Sequence, residues 1–352
     1  MALRLTDVSH PARAGFDTII DVRAPAEFAE DHLPAAINLP VLDDAERARV
    51  GTIYKQVSPF DARKIGAALV AANAARHISG PLADRPGGWR PLLYCWRGGQ
   101  RSGSFASILA QIGWRVELVE GGYKSWRRLV VERVQEMPVP SPVVVLDGNT
   151  GSAKTAILNR LAARGHQVID LEGLARHRGS LFGAMAGGQP GQKMFESRLA
   201  LALEALDPGR PLLVEAESSR IGEIALPKMI WRAICAAPRV RLDVPVAARA
   251  AYSARDYADV VADPARLETI LATLAPLHPA ERIELWQAKA KAGAWADLAE
   301  GLMRDHYDPR YLKHRSRYAE REKSVVPLDS LDDLDAAAGR VEAALTGISA
   351  QG

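Results

Sequence analysis

Three prolines within residues 136–142 (Glu-Met-Pro-Val-Pro-Ser-Pro) interrupt the chain near its middle. Each fixes φ and removes a backbone donor, so the segment cannot lie inside a helix or a central strand. Two domains are expected, residues 1–135 and 143–352, joined by the linker 136–142. The 352 residues suffice for two cores, and 48% hydrophobic with 25% charged residues is ordinary globular composition. No run of about 18 apolar residues occurs, and the first ten residues lack the apolar stretch of a secretory signal. Two cysteines are too few for a disulfide framework. A membrane protein and a disordered chain are excluded, and the cytoplasm is the expected compartment. A net charge of +3 permits a nucleic-acid partner without arguing for one, because charge counts only where it clusters.

Short apolar runs alternate with helical patterns on both sides of the linker. Residues 18–22, 91–94 and 116–119 read as strands, and 62–75 and 102–112 as helices. Beyond the linker, residues 143–146, 167–171, 212–215 and 240–244 read as strands, and 154–164, 264–273 and 279–304 as helices. The alternation predicts two α/β domains with mainly parallel sheets, the second with a helical C-terminal part.

Two loops carry the chemistry. The first is Tyr94, Cys95, Trp96, Arg97, Gly98, Gly99, Gln100, Arg101 and Ser102, between a strand and a helix. Loop amides and a helix N-terminus both favour negative charge there, which lowers a thiol pKa and makes Cys95 a nucleophile. Trp96, Arg97, Gly98, Gly99 and Gln100 form the expected anion-binding loop, with Arg101 as the clamp that closes it.

The second loop is Gly148, Asn149, Thr150, Gly151, Ser152, Ala153, Lys154 and Thr155, after a β-branched strand. It matches the P-loop pattern except that Ala153 stands where a second glycine is expected. Backbone amides would cradle a diphosphate, Lys154 would supply charge, and Thr155 a hydroxyl for Mg²⁺. Glu215, Glu217, Asp170 and Glu172 stand at strand ends, either assisting a metal or simply solvated. Residues 176–183 are basic and then glycine-containing, which suits a phosphate contact, a lid or a solvated loop. No Cys/His cluster marks a metal site. Residues 301–323 carry seven Lys and Arg against four Asp and Glu, with tyrosines interleaved. Arg310, Tyr311, Arg315 and Arg317 are the candidate RNA contacts there.

Asp21-Val22-Arg23, Glu27-Phe28, residues 32–40 and residues 120–126 (Glu-Gly-Gly-Tyr-Lys-Ser-Trp) resemble the opening and closing segments of a rhodanese domain. That resemblance implies a persulfide- or selenide-carrying cysteine at Cys95, with Asp21 and Arg23 structural. Five residues separate Cys95 from Arg101, a length similar to the related phosphatase loop, although Tyr94 replaces the histidine usual before a phosphatase cysteine. Such a loop suits selenophosphate or thiophosphate. A rhodanese-like domain followed by a P-loop NTPase-like domain, together with residues 50–60, 64–66 and 306–311, resembles the tRNA 2-selenouridine synthase family. The resemblance implies a tRNA substrate with 2-thiouridine at the wobble position. It also implies selenium from selenophosphate, supplied by its synthase, and an S-geranyl intermediate made with geranyl diphosphate. Mg²⁺ or ATP remain open as cofactors. The alternative is a sulfurtransferase or phosphatase-like domain fused to an ATP-dependent RNA-binding module or small-molecule kinase.

Overall fold

A computed structural model describes residues 2–349. The chain forms two compact units. The first runs to Met137 and also takes in Pro190–Ala205, while the second holds Pro138–Gln189 and the chain from Leu206 onward.

In the first unit, strands β1 (Ala2–Leu3), β2 (Thr18–Asp21), β3 (Ala36–Asn38), β4 (Pro91–Tyr94) and β5 (Glu117–Val119) build a parallel sheet of order β1-β5-β4-β2-β3. Every residue of β4 is buried, as a central parallel strand requires. Ile20, Val22, Leu93, Phe105, Leu109 and Trp114 share its core. The expected helix at 62–75 is part of Pro59–Ser79, which starts where the Ser58 hydroxyl accepts the Asp61 amide at 3.1 Å. Before it lies helix Asp44–Gln56, opened by reciprocal bonds between Asp43 and Glu46 at 2.7 and 2.9 Å.

Helix Gln192–Glu204 belongs to this first unit, so the expected second domain lacks one of its helices. Its Ser197 hydroxyl donates to Asp31 at 2.8 Å, and Lys193 pairs with Glu30 at 2.6 Å. Glu196 pairs with Arg127. Pro190 opens this excursion, and these side-chain pairings hold it to the first unit.

Asp21 and Arg23 form a buried ion pair, with Arg23 Nη2 2.6 Å from Asp21 Oδ2. The guanidinium also donates to the Asp31 carbonyl at 2.6 Å and lies 4.0 Å from the Tyr123 ring centroid. Asp21→Ala leaves this cation buried and unpaired, an expected loss of ~3–5 kcal/mol. Chemical denaturation should show the transition of this unit at clearly lower denaturant. An unmoved midpoint would contradict a structural role for the pair.

In the second unit, β6 (Val143–Asp147), β7 (Gln167–Val168), β8 (Leu212–Glu215), β11 (Arg239–Asp243) and β12 (Glu322–Pro327) form a parallel sheet of order β12-β11-β6-β8-β7. Between β8 and β11, β9 (Arg220–Ile221) and β10 (Ile224–Ala225) make a small antiparallel pair. Val144, Leu146, Ile157, Leu161, Val240 and Val341 lie in the core at this sheet. The strand expected at 167–171 stops early because Asp170 caps the next helix, Leu171–Ala175, by accepting the Gly173 amide at 2.6 Å. The helix expected over 279–304 is two, Ala280–Lys291 and Trp295–Leu302, with Gly293 at φ +68° between them. A second core of Leu267, Leu271, Trp286, Leu298 and Leu302 holds these C-terminal helices. Among the described residues, no helix is long and apolar enough to cross a membrane.

Candidate active-site loops

Cys95 directly follows β4, in the middle of the first sheet and at its carboxyl edge, where parallel α/β sheets place ligands. Its Sγ accepts the Gly99 amide at 3.3 Å and the Ser102 hydroxyl at 3.2 Å. Burial pushes the thiol up. Hydrogen bonds from the Ser102 hydroxyl and from the Ser102, Gly99 and Arg97 amides outweigh it, so the thiol sits below its ordinary value. Gly122 lies against this loop at φ +60°, and a Cβ there would overlap the Cys95 carbonyl oxygen and the Gly98 amide. The loop is closed from that side by the Tyr123 amide, which donates to the Cys95 carbonyl at 2.8 Å. The Gly-Gly-Tyr of residues 121–123 thus holds the cysteine loop in shape.

The lowered thiol can be tested by alkylation. The midpoint of rate against pH for Cys95 should lie below that of a free cysteine. Ser102→Ala removes a donor to the thiolate and should move the midpoint upward. An unmoved midpoint would show that Ser102 does not set the charge.

Trp96 packs on Tyr123 with ring centroids 5.2 Å apart, while Arg97 and Gln100 are exposed. Arg101, expected to close the anion loop, is forked onto Glu27 at 2.7 and 3.3 Å. Arg47 shares the same carboxylate at 2.8 Å. Burial raises the Glu27 carboxyl, but the two arginines hold it below its ordinary value. An anion at Cys95 would therefore compete with Glu27 for Arg101. Arg101 also borders a cavity of about 300 Å³ with Tyr54, Arg63 and Gln100. The sequence marks Glu27 only as part of the rhodanese-like opening.

The phosphate loop follows the fully buried β6 and leads into helix Lys154–Ala163. Ala153 takes φ +57°, a left-handed conformation that costs roughly 1–2 kcal/mol for a residue with a Cβ. The loop therefore keeps the turn a glycine would make. Lys154 Nζ donates to the Gly148 carbonyl at 3.0 Å, and the Thr155 hydroxyl to Glu172 at 2.9 Å. Burial opposes the Lys154 charge, but Tyr311, Glu172, Glu217 and Asp147 together hold it above the ordinary lysine value. Residues 150–156 line a pocket of about 320 Å³ with Glu172, His177, Arg178, Tyr257 and Tyr311.

Of the strand-end acids, Glu172, Glu215 and Glu217 cluster and Asp170 acts on them electrostatically. Glu215 is fully buried and accepts the Glu172 amide at 2.8 Å. Burial, with the charges of Glu172 and Asp170, pushes its carboxyl up to about 8. Glu217 is also raised, by burial and then by Glu172 and Glu215. Among the described residues, no group of three His, Cys, Asp or Glu is arranged to hold a metal ion. The folded state thus binds the Glu215 proton more tightly than the unfolded chain. Stability from this group is lost as pH rises from about 4.3, the ordinary glutamate value, through about 8. Glu215→Gln should remove that part of the fall, so denaturation midpoints of variant and wild type should diverge with rising pH. Parallel midpoints would contradict a protonated Glu215.

The residues assigned to RNA contact divide. Tyr311 lines the phosphate pocket, with its ring centroid 5.7 Å from Lys154 Nζ. Arg315 donates to the Asn149 side chain. Arg310 is bonded to His306 at 2.8 Å, while Arg310 and Arg317 are both exposed. The stretch around Tyr311 and Arg315 is thus a wall of the phosphate loop. Asp308 and Arg249, which the motif reading did not assign, complete that wall. Asp308 accepts from Asn149 at 3.0 Å and from Arg249 at 3.0 and 2.7 Å, and Arg249 reaches the Thr150 carbonyl at 3.1 Å.

Residues 6–129, which contain Cys95, match the rhodanese-like domain family. Residues 141–270, which contain the phosphate loop, match the tRNA 2-selenouridine synthase AAA domain. The tRNA 2-selenouridine synthase of Hahella chejuensis is 36% identical over 339 residues, covering 86% of each chain. The chain belongs to the tRNA 2-selenouridine synthase family. The enzyme of that name from Nitrosomonas europaea is 38% identical, covering 68% of this chain and 63% of that one. The one from Aeromonas salmonicida is 40% identical over 68% of this chain and 64% of its own. Both loops fall inside the matched domains. Asp308, Tyr311 and Arg315 lie beyond residue 270 and still reach the phosphate loop.

Proposed function

We propose that the protein exchanges sulfur for selenium in tRNA bearing 2-thiouridine at the wobble position, in two steps at two loops. The thiolate-stabilising loop around Cys95 carries this reading, because it joins a nucleophile to amides suited to an oxyanion.

In the first step the thiocarbonyl sulfur attacks C1 of geranyl diphosphate. A C–S bond forms, the C–O bond breaks, diphosphate leaves and the base loses its N3 proton. The phosphate loop supports this step by holding the diphosphate, with Lys154 offsetting the charge that builds on departure. A divalent cation arriving with the diphosphate would find the Thr155 hydroxyl and the Glu172 carboxylate as donors.

In the second step the Cys95 thiolate attacks the phosphorus of selenophosphate, supplied by its synthase. The S–P bond forms, the P–Se bond breaks and selenide leaves with its electron pair. Water then hydrolyses the phosphocysteine and restores the thiolate. Selenide adds to C2 of the alkylated base and geranyl thiol departs, so no external oxidant or reductant is needed. Alkylation has made the sulfur a better leaving group. Supporting the attack on phosphorus are the two hydrogen bonds to Sγ and the five residues between Cys95 and Arg101, a spacing that suits a tetrahedral anion.

Purified protein, 2-thiouridine tRNA, geranyl diphosphate and selenophosphate provide the test. The expected products are 2-selenouridine and geranyl thiol. Selenation at full rate without any prenyl donor would remove the first step.

A further inference from the structure

The phosphate pocket does not end at the phosphate loop. Thr150, Ser180, Ser253 and Tyr257 line it and also line the mouth of a second space. Behind that mouth the walls become apolar, with Phe182, Leu298, Leu302 and Met303 among them. This neck is slender, about 80 Å³ against about 320 Å³ for the phosphate pocket. At its far side Val261, Leu267 and Trp295 are shared with a further cavity of about 350 Å³. A polar cradle, an apolar neck and an outer chamber are therefore joined through common walls within one unit.

Thr150, Ser180, Ser253 and Tyr257 bring polar groups to the mouth of the neck, whose walls also include the Tyr307 hydroxyl and the Trp295 indole. Ser180 and Tyr257 bond each other through their hydroxyls at 2.9 Å. Ser253 Oγ is buried and has no partner among the described residues, so it is free to donate to an oxygen held in the cradle. A nucleobase is fixed by several placed donors and acceptors, whereas the lining behind the mouth is mostly carbon, from Phe182, Val260, Leu298, Leu302 and Met303, with only the Tyr307 hydroxyl and the Trp295 indole polar. A hydrocarbon chain needs only burial, at about 25 cal/mol per Å² of apolar surface. A narrow apolar space bordered by a larger chamber suits a flexible chain of variable length.

We propose that this neck binds the hydrocarbon chain of a prenyl diphosphate whose diphosphate lies in the phosphate loop, and that its walls set the chain length accepted. The inference rests on the reading that the phosphate loop holds the prenyl donor.

Calorimetric titration of the full chain with inorganic pyrophosphate, geranyl diphosphate, farnesyl diphosphate and ATP tests it. Geranyl diphosphate should bind at least tenfold more tightly than pyrophosphate. Ala299→Phe, which narrows the neck from a half-buried position, should abolish that advantage and leave pyrophosphate affinity within twofold. Leu302→Ala widens the neck and should shift preference toward farnesyl diphosphate at least threefold, which a misfolded protein cannot do. If geranyl diphosphate keeps its advantage and both variants leave the ratios unchanged, the chain lies elsewhere and the inference fails while the prenyl-donor reading stands. If Lys154→Ala leaves geranyl diphosphate affinity unchanged, the prenyl-donor reading itself fails. Tight ATP binding that Ala299→Phe abolishes would make the neck a nucleotide site and overturn the inference.

Discussion

Cys95→Ser should reduce selenation of 2-thiouridine tRNA by about three orders of magnitude or more, the scale on which loss of a nucleophile acts. The substitution is nearly isosteric, and the backbone bonds that shape the loop, such as Tyr123 N–H to the Cys95 carbonyl, are untouched. The fold should therefore persist. Serine differs in charge: its hydroxyl stays protonated where the Cys95 thiol, lowered by the hydrogen-bond donors around it, ionises. Geranylation should survive, since the thiol has no part in prenyl transfer, and S-geranyl-2-thiouridine should accumulate. Loss of both modifications together, with an intact fold, would contradict the division of labour between the loops. Full selenation by the variant would contradict a nucleophilic Cys95.

Lys154→Ala should give the opposite pattern. The ammonium is the one basic group given to the loop by the motif, and surrounding carboxylates and Tyr311 keep it charged. Its loss removes the charge that meets the departing diphosphate, an expected effect of about 100-fold or more on geranylation. It also leaves Glu172 and Glu217 without that counter-charge, which further disfavours an anion in the pocket. Selenation of tRNA already geranylated should continue at the wild-type rate. If instead geranylation is normal and an ATP-dependent step is lost, the loop is a nucleotide site.

Both loops were legible in the sequence because each is local. A strand, a turn and a helix start within about ten residues set Cys95 and Lys154, and no distant contact is needed to recognise them. What surrounds them is not local. Asp308 reaches Asn149 across 159 residues, and Arg101 meets Glu27 across 74. Such pairings depend on how the sheets and helices pack, and a single sequence does not encode them as a pattern. The spacing of Arg101 from Cys95 marks it as a clamp, yet its guanidinium pairs with Glu27, a carboxylate shared with Arg47. Tyr311 and Arg315 read as a charged and aromatic surface because composition carries no direction, whereas in the fold both face the phosphate loop. Ala153 shows the reverse case. The motif marks the position as glycine, and the backbone keeps a glycine-like φ of +57° despite the methyl group.

The most direct test of the account is mass spectrometry of tRNA nucleosides from selenium-supplied cells that lack the protein, carry it, or carry Cys95→Ser. The account predicts 2-thiouridine without selenation in the first, 2-selenouridine in the second, and S-geranyl-2-thiouridine without 2-selenouridine in the third. Equal 2-selenouridine in all three would contradict it.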